Sequence, residues 1–426
     1  MLFRSLLSQV NLQEAEALKA SSGISSVGFQ LTGQGFVADD SLLARLSETE
    51  RGDFIFGLLG AREIVQKPKG RMVIDVCGVE TEAELRRVAP NIFQHLLVSV
   101  KPERDVNARK AVREKWWIYG EARNTFRPAL ADLSTQIVTP LTAKHRIFTS
   151  LPVDVRADST CVCIALEGGY ALGILSSRIH VGWALANGGR LGVGDDPRYL
   201  KAECFDPFPF PADVSEPFKT RISTEAEALD ALRKKVLAEH DDLTLTGLYN
   251  VLDALRLADR TRGVLSEKDR DVHDRGQVTL IRQHHDAVDA AVAEAYGWPT
   301  DLSDEDILTR LVALNKERAA EEAKGIIRWL RPEFQAPGAT APQVNAILDL
   351  GDAPAAAPAT IIPWPKTLAE QVSAVASILA ASPAPQHPRD IARAFDGKRA
   401  ASVTPVLDAL TAIGQARRLA DGRYAV

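Results

Sequence analysis

Phe205-Asp-Pro-Phe-Pro-Phe-Pro211 places three prolines in five positions, and neither a helix interior nor a sheet ladder runs through such a segment. Upstream of it the apolar residues come in short runs. Arg71-Met-Val-Ile-Asp-Val-Cys77, Leu96-Leu-Val-Ser-Val100 and residues 146–150, 160–166 and 170–174 read as strands, with short helices over 81–88 and 176–188. Downstream the spacing changes to three and four. Thr224-x-x-Glu227 reads as a capping box opening a helix that carries Leu229, Leu232 and Val236 on one face, and Ser303 caps another carrying Ile307, Leu311 and Leu314. The prolines therefore mark the border between a mixed α/β region, 28–211, and an all-α helical region, 212–335, in an α+β multidomain chain.

Further out, residues 336–365 hold nine Ala and six Pro in thirty positions, the composition of a linker. Beyond it, 366–426 reads as a winged-helix module. Thr367-x-x-Glu370 caps a first helix, Pro388 starts a second, and Thr404-Pro405 supplies an N-cap and N1 pair for a third carrying Val406, Leu407, Leu410 and Ile413. Asp421-Gly422 between two short alternating runs reads as a terminal hairpin.

The 426 residues carry a net charge of -5, and the surplus of acid sits in 212–335, which has 18 Lys and Arg against 25 Asp and Glu. No region is basic enough to bind polyanions by bulk charge, so any nucleic-acid contact must be local. The densest basic stretch, 101–115, holds six bases and three acids and reads as a solvated loop or helix. The four cysteines form no C-x-x-C pair, and Cys161 and Cys163 alternate in an apolar run, so packing in a reduced, cytoplasmic protein is expected. No run of apolar residues suits a membrane span or a secretory signal. Adjacent His284 and His285 point in different directions on a helix, which favours interhelix hydrogen bonds over a shared metal.

Several segments resemble one family. Gly33-Gln-Gly-Phe36, Val100-Lys-Pro-Glu-Arg-Asp105, Trp116-Trp117, Lys144-His-Arg-Ile-Phe148, Gly173-Ile-Leu-Ser-Ser-Arg-Ile-His180, Trp183, Arg198-Tyr199 and Phe208-Pro-Phe-Pro211 occur in the order and spacing of the C-terminal half of MmeI-like, adenine-specific DNA methyltransferases of type IIG restriction-modification and phage-defence systems. In the helical region Leu243-Thr-Leu-Thr-Gly-Leu-Tyr-Asn250, His285-Asp286 with Asp289, Ala295-Tyr-Gly-Trp-Pro299, Leu314-Asn315 and Arg328-Trp-Leu-Arg-Pro332 extend the match to about residue 335. The resemblance implies that 28–211 is a DNA target-recognition domain and that double-stranded DNA is the partner. It also implies S-adenosylmethionine as the cofactor of the complete enzyme.

The family's catalytic loop has an Asn or Asp followed by Pro-Pro and an aromatic residue that stacks on a flipped adenine. No Pro-Pro dipeptide occurs in this sequence, and Asp206-Pro-Phe-Pro209 imitates the loop only superficially. Gly33-x-Gly35 and Gly192-x-Gly194 lack the strand and the ribose-binding acid of a cofactor loop and read as turns. No catalytic residue, bound cofactor or metal is therefore assigned to this chain. Residues 1–27 resemble a remnant connection from a methyltransferase domain, and a methyltransferase catalytic domain or chain is the expected partner.

Arg and Lys read guanine edges and grip phosphates. The candidate DNA contacts are Lys144, Arg146, Arg178, Arg190 and Arg198, supported by Ser177, His180 and Tyr199. Trp183 is expected in the core. A second reading is a noncatalytic regulator that binds DNA through its winged helix, with Lys398, Arg399, Arg417, Arg418 and Arg423 along the duplex. A third is a scaffold whose 212–335 helices clasp a separate methylase.

Overall fold

The computed structural model describes residues 11–191, 196–338, 364–365, 367–380, 386, 388–392, 395, 400–412, 415–419 and 423–425. They belong to two compact units, Met1–Gln343 and Val344–Val426.

In the first unit β1 (Ser25–Val27), β2 (Val37–Ala38), β3 (Ile55–Leu59), β4 (Met72–Ile74), β5 (Thr135–Pro140), β6 (Thr149–Pro152), β7 (Val155–Ala157) and β8 (Cys161–Ile164) build two four-stranded sheets. One runs β1-β8-β5-β6, antiparallel throughout; the other runs β2-β4-β3-β7, with a parallel β3/β7 pair. The chain crosses from the second sheet to the first at Asp158-Ser159-Thr160. Cys161-Val-Cys-Ile164 is buried on both faces within the cluster that holds Leu172, Ile174 and Leu175, and β8 lies inside its sheet, with Ile164 paired to Ile137 and to Ser25. Small thiols fill that space, as expected of packing residues.

Two of the expected strands are helices. Residues 96–100 close α3, introduced here after α1 (Ala61–Val65) and α2 (Glu82–Val88) and spanning Pro90–Ser99. Ile92, Phe93, Leu96 and Val100 are buried at spacings of one, three and four, and Pro90 sits in the first turn. Residues 170–174 lie in α4 (Gly168–Ser176), apolar around its circumference because it is enclosed on every side. Periodicity cannot separate such a helix from a buried strand. Its glycines allow the close fit: a Cβ on Gly173 would meet Ile222 Cγ2 at 2.4 Å. The strand expected over 146–150 begins only at Thr149, since Arg146 is turned inward before the ladder starts.

After α4 come α5 (Arg178–Asn187), the short pair β9 (Arg190–Leu191) and β10 (Asp196–Pro197), and then α6 (Glu216–Glu239), α7 (Leu245–Thr261), α8 (Val278–Ala295) and α9 (Asp304–Ala323). Helix α6 starts at Glu216, eight residues before Thr224, so the expected capping box is mid-helix and Thr224 Oγ1 donates to Thr220 O (3.0 Å) instead. Ser303 does cap α9, accepting from Asp306 N at 3.1 Å.

The proline-rich stretch ends the strand-rich region without opening a separate core. Val162, Ile164, Leu172 and Trp183 share one buried cluster with Ile222, Ala226, Val292 and Leu311, and Phe205 and Phe208 lie inside it. Buried polar side chains fasten the same join. Asn315 donates to Glu16 O (2.8 Å) and Pro207 O (2.6 Å), Glu322 accepts from Lys19 N (2.7 Å) and Ala20 N (2.9 Å), and Arg331 donates to Ala129 O and to Ala165 O (3.3 Å).

The second unit contains α10 (Leu368–Ala380), α11 (Pro388–Ala392), α12 (Ala400–Ala412) and the antiparallel pair β11 (Arg417–Arg418) and β12 (Tyr424–Ala425). Val375, Leu379, Ile391, Phe395, Val403, Leu407, Leu410 and Tyr424 form its core. Helix α12 begins at Ala400, so Pro405 lies within it rather than at its first position. Ile413 and Asp421-Gly422 are outside the described residues.

Candidate nucleic-acid interface

Where the two sheets meet, a groove of about 750 Å³ is walled by the corner after β3 (Gly60, Arg62), the connection to β4 (Lys69, Arg71), the loop after β5 (Thr142, Lys144) and the 158–160 crossing. Its shape follows from local chemistry. Asp158 N donates to Leu59 O (3.0 Å), Thr160 N to Asp158 Oδ1 (2.9 Å), and Ala61 N to Thr160 Oγ1 (2.8 Å), so the crossing is held by its own side chains. A Cβ on Gly60 would stand 2.6 Å from Asp158 Oδ2, so a larger residue there would displace that carboxylate.

Four cations, Arg62, Lys69, Arg71 and Lys144, face two acids, Glu63 and Asp158. The acids are already engaged. Glu63 takes hydrogen bonds from Arg71, Gly60 N (3.0 Å) and Lys69 N (3.2 Å), and Asp158 lies 3.8 Å from Arg71. Burial alone would raise the Glu63 carboxyl, but the Arg71 guanidinium and the two amides hold it below the usual carboxylate range. Arg62 contacts neutral Gln66 (3.2 Å) and Lys144 neutral Asn250 (2.6 Å), and both these cations and Lys69 are exposed. The rim therefore presents positive charge that no carboxylate among the described residues pairs with.

Beneath the rim lies a different chemistry, and it corrects four of the expected contacts. Arg146 is 7% exposed; its guanidinium donates to Thr139 Oγ1 (3.0 Å), Pro140 O and Pro197 O (3.1 Å) and lies 5.3 Å from the Tyr199 ring centroid. Burial pulls it down to about 10. His180 and Tyr199 are fully buried and joined Nε2 to OH at 2.9 Å, and burial, with the Arg146 charge second, drives the imidazole down to about 3. Ser177 caps α5, donating to Ile174 O (2.7 Å) and accepting from His180 N (3.4 Å). Arg146, Ser177, His180 and Tyr199 thus turn their polar atoms into the frame, where a duplex cannot reach them.

The remaining expectations divide. Arg178 ties α5 to α9 through Asp304 Oδ1 (2.8 Å) and Leu302 O (3.1 Å). Arg190 is exposed on β9, opposite Pro197, and Arg198 is half-buried and bridges to Thr142. Because Tyr199 N donates to Leu141 O (2.8 Å) and Ala143 N to Pro197 O (3.3 Å), the loop bearing Lys144 is laced to the segment bearing Arg190 and Arg198. The fold brings these three cations to neighbouring strands and loops. Arg62, Lys69 and Arg71 were missed, although Lys67-Pro-Lys-Gly-Arg71 alternates cations through a Pro/Gly connection, a pattern that suits an exposed basic loop.

The other motifs serve packing. Trp183 is buried and donates to Cys204 O at 3.1 Å. His284 pairs with Glu225 (2.8 Å) and His285 with the Tyr249 hydroxyl (2.7 Å), the expected interhelix bonds. Asp206 takes Lys201 (2.6 Å) and Ser25 (3.1 Å), and Phe208 packs its ring 4.3 Å from His180. Gly33-x-Gly35 does not fit S-adenosylmethionine: a Cβ on Gly35 would lie 2.7 Å from Ser99 O, so that glycine exists for contact with α3. Gly192-x-Gly194 lies outside the described residues. In the second unit Arg417 and Arg418 are exposed on β11, Arg418 lies 3.8 Å from Asp408, Arg423 is exposed, and Lys398 and Arg399 lie outside the described residues.

No family model and no curated protein matches this sequence. Among solved structures the chain is similar to the type IIL restriction-modification enzyme MmeI, solved in complex with DNA, with a TM-score of 0.50 and 16% identity over 71% of this chain. The match spans 36% of that chain, so a likeness of fold covers roughly its third.

Proposed function

We propose that this chain is the target-recognition portion of a site-specific DNA adenine-N6 methyltransferase of the restriction-modification or phage-defence class. Methyl transfer from S-adenosylmethionine would be supplied by a methyltransferase catalytic domain or chain. The observation that carries this reading is the groove, whose Arg62, Lys69 and Lys144 leave their charge unspent on a rigid frame. The fold likeness to a DNA-bound restriction-modification enzyme supports it.

In this reading Lys69 and Lys144 grip phosphates and fix the register of the duplex. Arg190 and Arg198, on the strand pair laced to the Lys144 loop, reach base edges. The buried Arg146 sets the height of that loop by holding Pro140 O and Pro197 O together.

Fluorescence anisotropy of a labelled duplex with the full chain tests the assignment. Each phosphate grip lost lowers the slope of log affinity against log salt by about 0.9. Lys69→Glu with Lys144→Glu should flatten that slope and weaken binding by roughly a hundredfold at low salt. An unchanged slope removes the groove from the interface.

A second reading rests on the second unit, whose three helices and terminal strand pair have the order of a winged helix, with Arg417 and Arg418 exposed on the pair. Removing 366–426 separates the two: site preference that survives belongs to the groove, and preference that disappears belongs to the module.

A further inference from the structure

Away from the groove, Pro211, Ala295, Tyr296, Trp298, Arg310 and Arg318 line a cleft of about 320 Å³ between the end of α8 and the middle of α9. The turn that shapes it needs Gly297, at φ +68°, and stacks Tyr296 on Trp298 with ring centroids 4.5 Å apart and 23° between planes. Tyr296 OH donates to Pro209 O (2.9 Å) and Trp298 N to Ala293 O (2.9 Å), so the aromatic wall is fixed from behind.

The charged groups lining this cleft are two guanidinium groups, Arg310 and Arg318, and one carboxylate, Glu317. Arg310 lies 5.8 Å from the Trp298 ring centroid and makes no ion pair among the described residues. Arg318 spends one terminal nitrogen on Glu321 (2.7 Å) and lies 3.8 Å from Glu317, yet its Nε is buried with no partner. Glu317 and Glu321 both lie against Arg318, so the unengaged cation of the cleft is Arg310; together with the buried Arg318 Nε–H, costly to leave without an acceptor, it favours an anion. Ala295, Ala313, Leu314 and Pro211 add an apolar floor, and the volume is at the small end of ligand sites, about 300 Å³ upward.

We propose that this cleft binds a mononucleotide unit, with the phosphate on Arg310 and Arg318 and the base on the Trp298 wall and the apolar floor. An indole face and a cation together suit any base, because every base has a π-face. The unit can come from a free nucleotide or from a single strand. This site is separate from the groove and does not depend on it.

Isothermal titration of the full chain with AMP, adenosine, inorganic phosphate and a short oligo(dA) tests the proposal. AMP should saturate one site at least about tenfold more tightly than either phosphate or adenosine, since both halves of the cleft are used. Arg310→Gln, an exposed change that leaves the fold intact, should weaken AMP about tenfold, and Trp298→Leu should weaken it at least as much. Oligo(dA) that competes with AMP identifies a single strand as the source; oligo(dA) that does not compete identifies the free nucleotide. Absence of saturable AMP binding, equal binding of phosphate alone, or AMP affinity unchanged by Arg310→Gln would overturn it.

Discussion

Lys144 and Arg146 stand two positions apart and have opposite fates. Lys144 is on the groove rim, held to neutral Asn250, while Arg146 is under it, with three oxygen acceptors and no carboxylate. The rim keeps charge available and contributes little to stability; the centre uses its charge to fix the rim. Basic residues of one motif thus divide between an exposed rim and a buried support, and burial decides which is which.

The contrast can be broken most severely at Arg146. Arg146→Ala takes the guanidinium donors away from Thr139 Oγ1, Pro140 O and Pro197 O and empties a buried site, and urea unfolding should show a loss of about 3 kcal/mol. A loss below about 0.5 kcal/mol would mean that the centre is not structural.

The next effect is in pH. The His180 ring has a folded value of about 3 against 6.5 when exposed, so the unfolded chain takes up the proton first. Its contribution is full above pH 6.5 and is lost as pH falls from there toward 3. Between pH 7 and 5 that amounts to about 2 kcal/mol, which His180→Gln should remove from the slope of stability with pH. Asp289, raised to about 6 by burial against the pull of Arg178 N, acts in the opposite sense: its contribution is full below 3.8 and is lost as pH rises through 6. Asp289→Asn should therefore steepen the acid loss by about 1 kcal/mol.

Tyr199→Phe should cost about 1 kcal/mol, because His180 Nε2 then joins its already unpartnered Nδ1. Smallest of all, Lys144→Ala should leave the melting free energy within about 0.5 kcal/mol while still weakening DNA binding. A large stability loss there would erase the distinction between rim and centre.

Much of this architecture was legible where a single face is buried and the caps are local, as at Ser303 or at Thr367, whose Oγ1 accepts from Glu370 N (3.4 Å). It was illegible where burial is total. Helix α4 reads as a strand because no exposed face marks its period. The proline-rich segment reads as a border because its prolines stop the ladder, yet Phe205 and Phe208 carry one core across it. At the candidate site Lys144, Arg190 and Arg198 were legible as a group. Their buried neighbours were not distinguishable from them, since depth depends on pairings such as Thr139 to Val162, which are distant in sequence.

The central claim is that the groove selects a sequence on duplex DNA. Repeated selection from a pool of randomised duplexes, run in parallel with the intact chain and with Lys69→Glu, Lys144→Glu, tests it most directly. The account predicts one enriched motif from the intact chain and none from the variant. No enrichment by the intact chain, or the same motif from both, would contradict it.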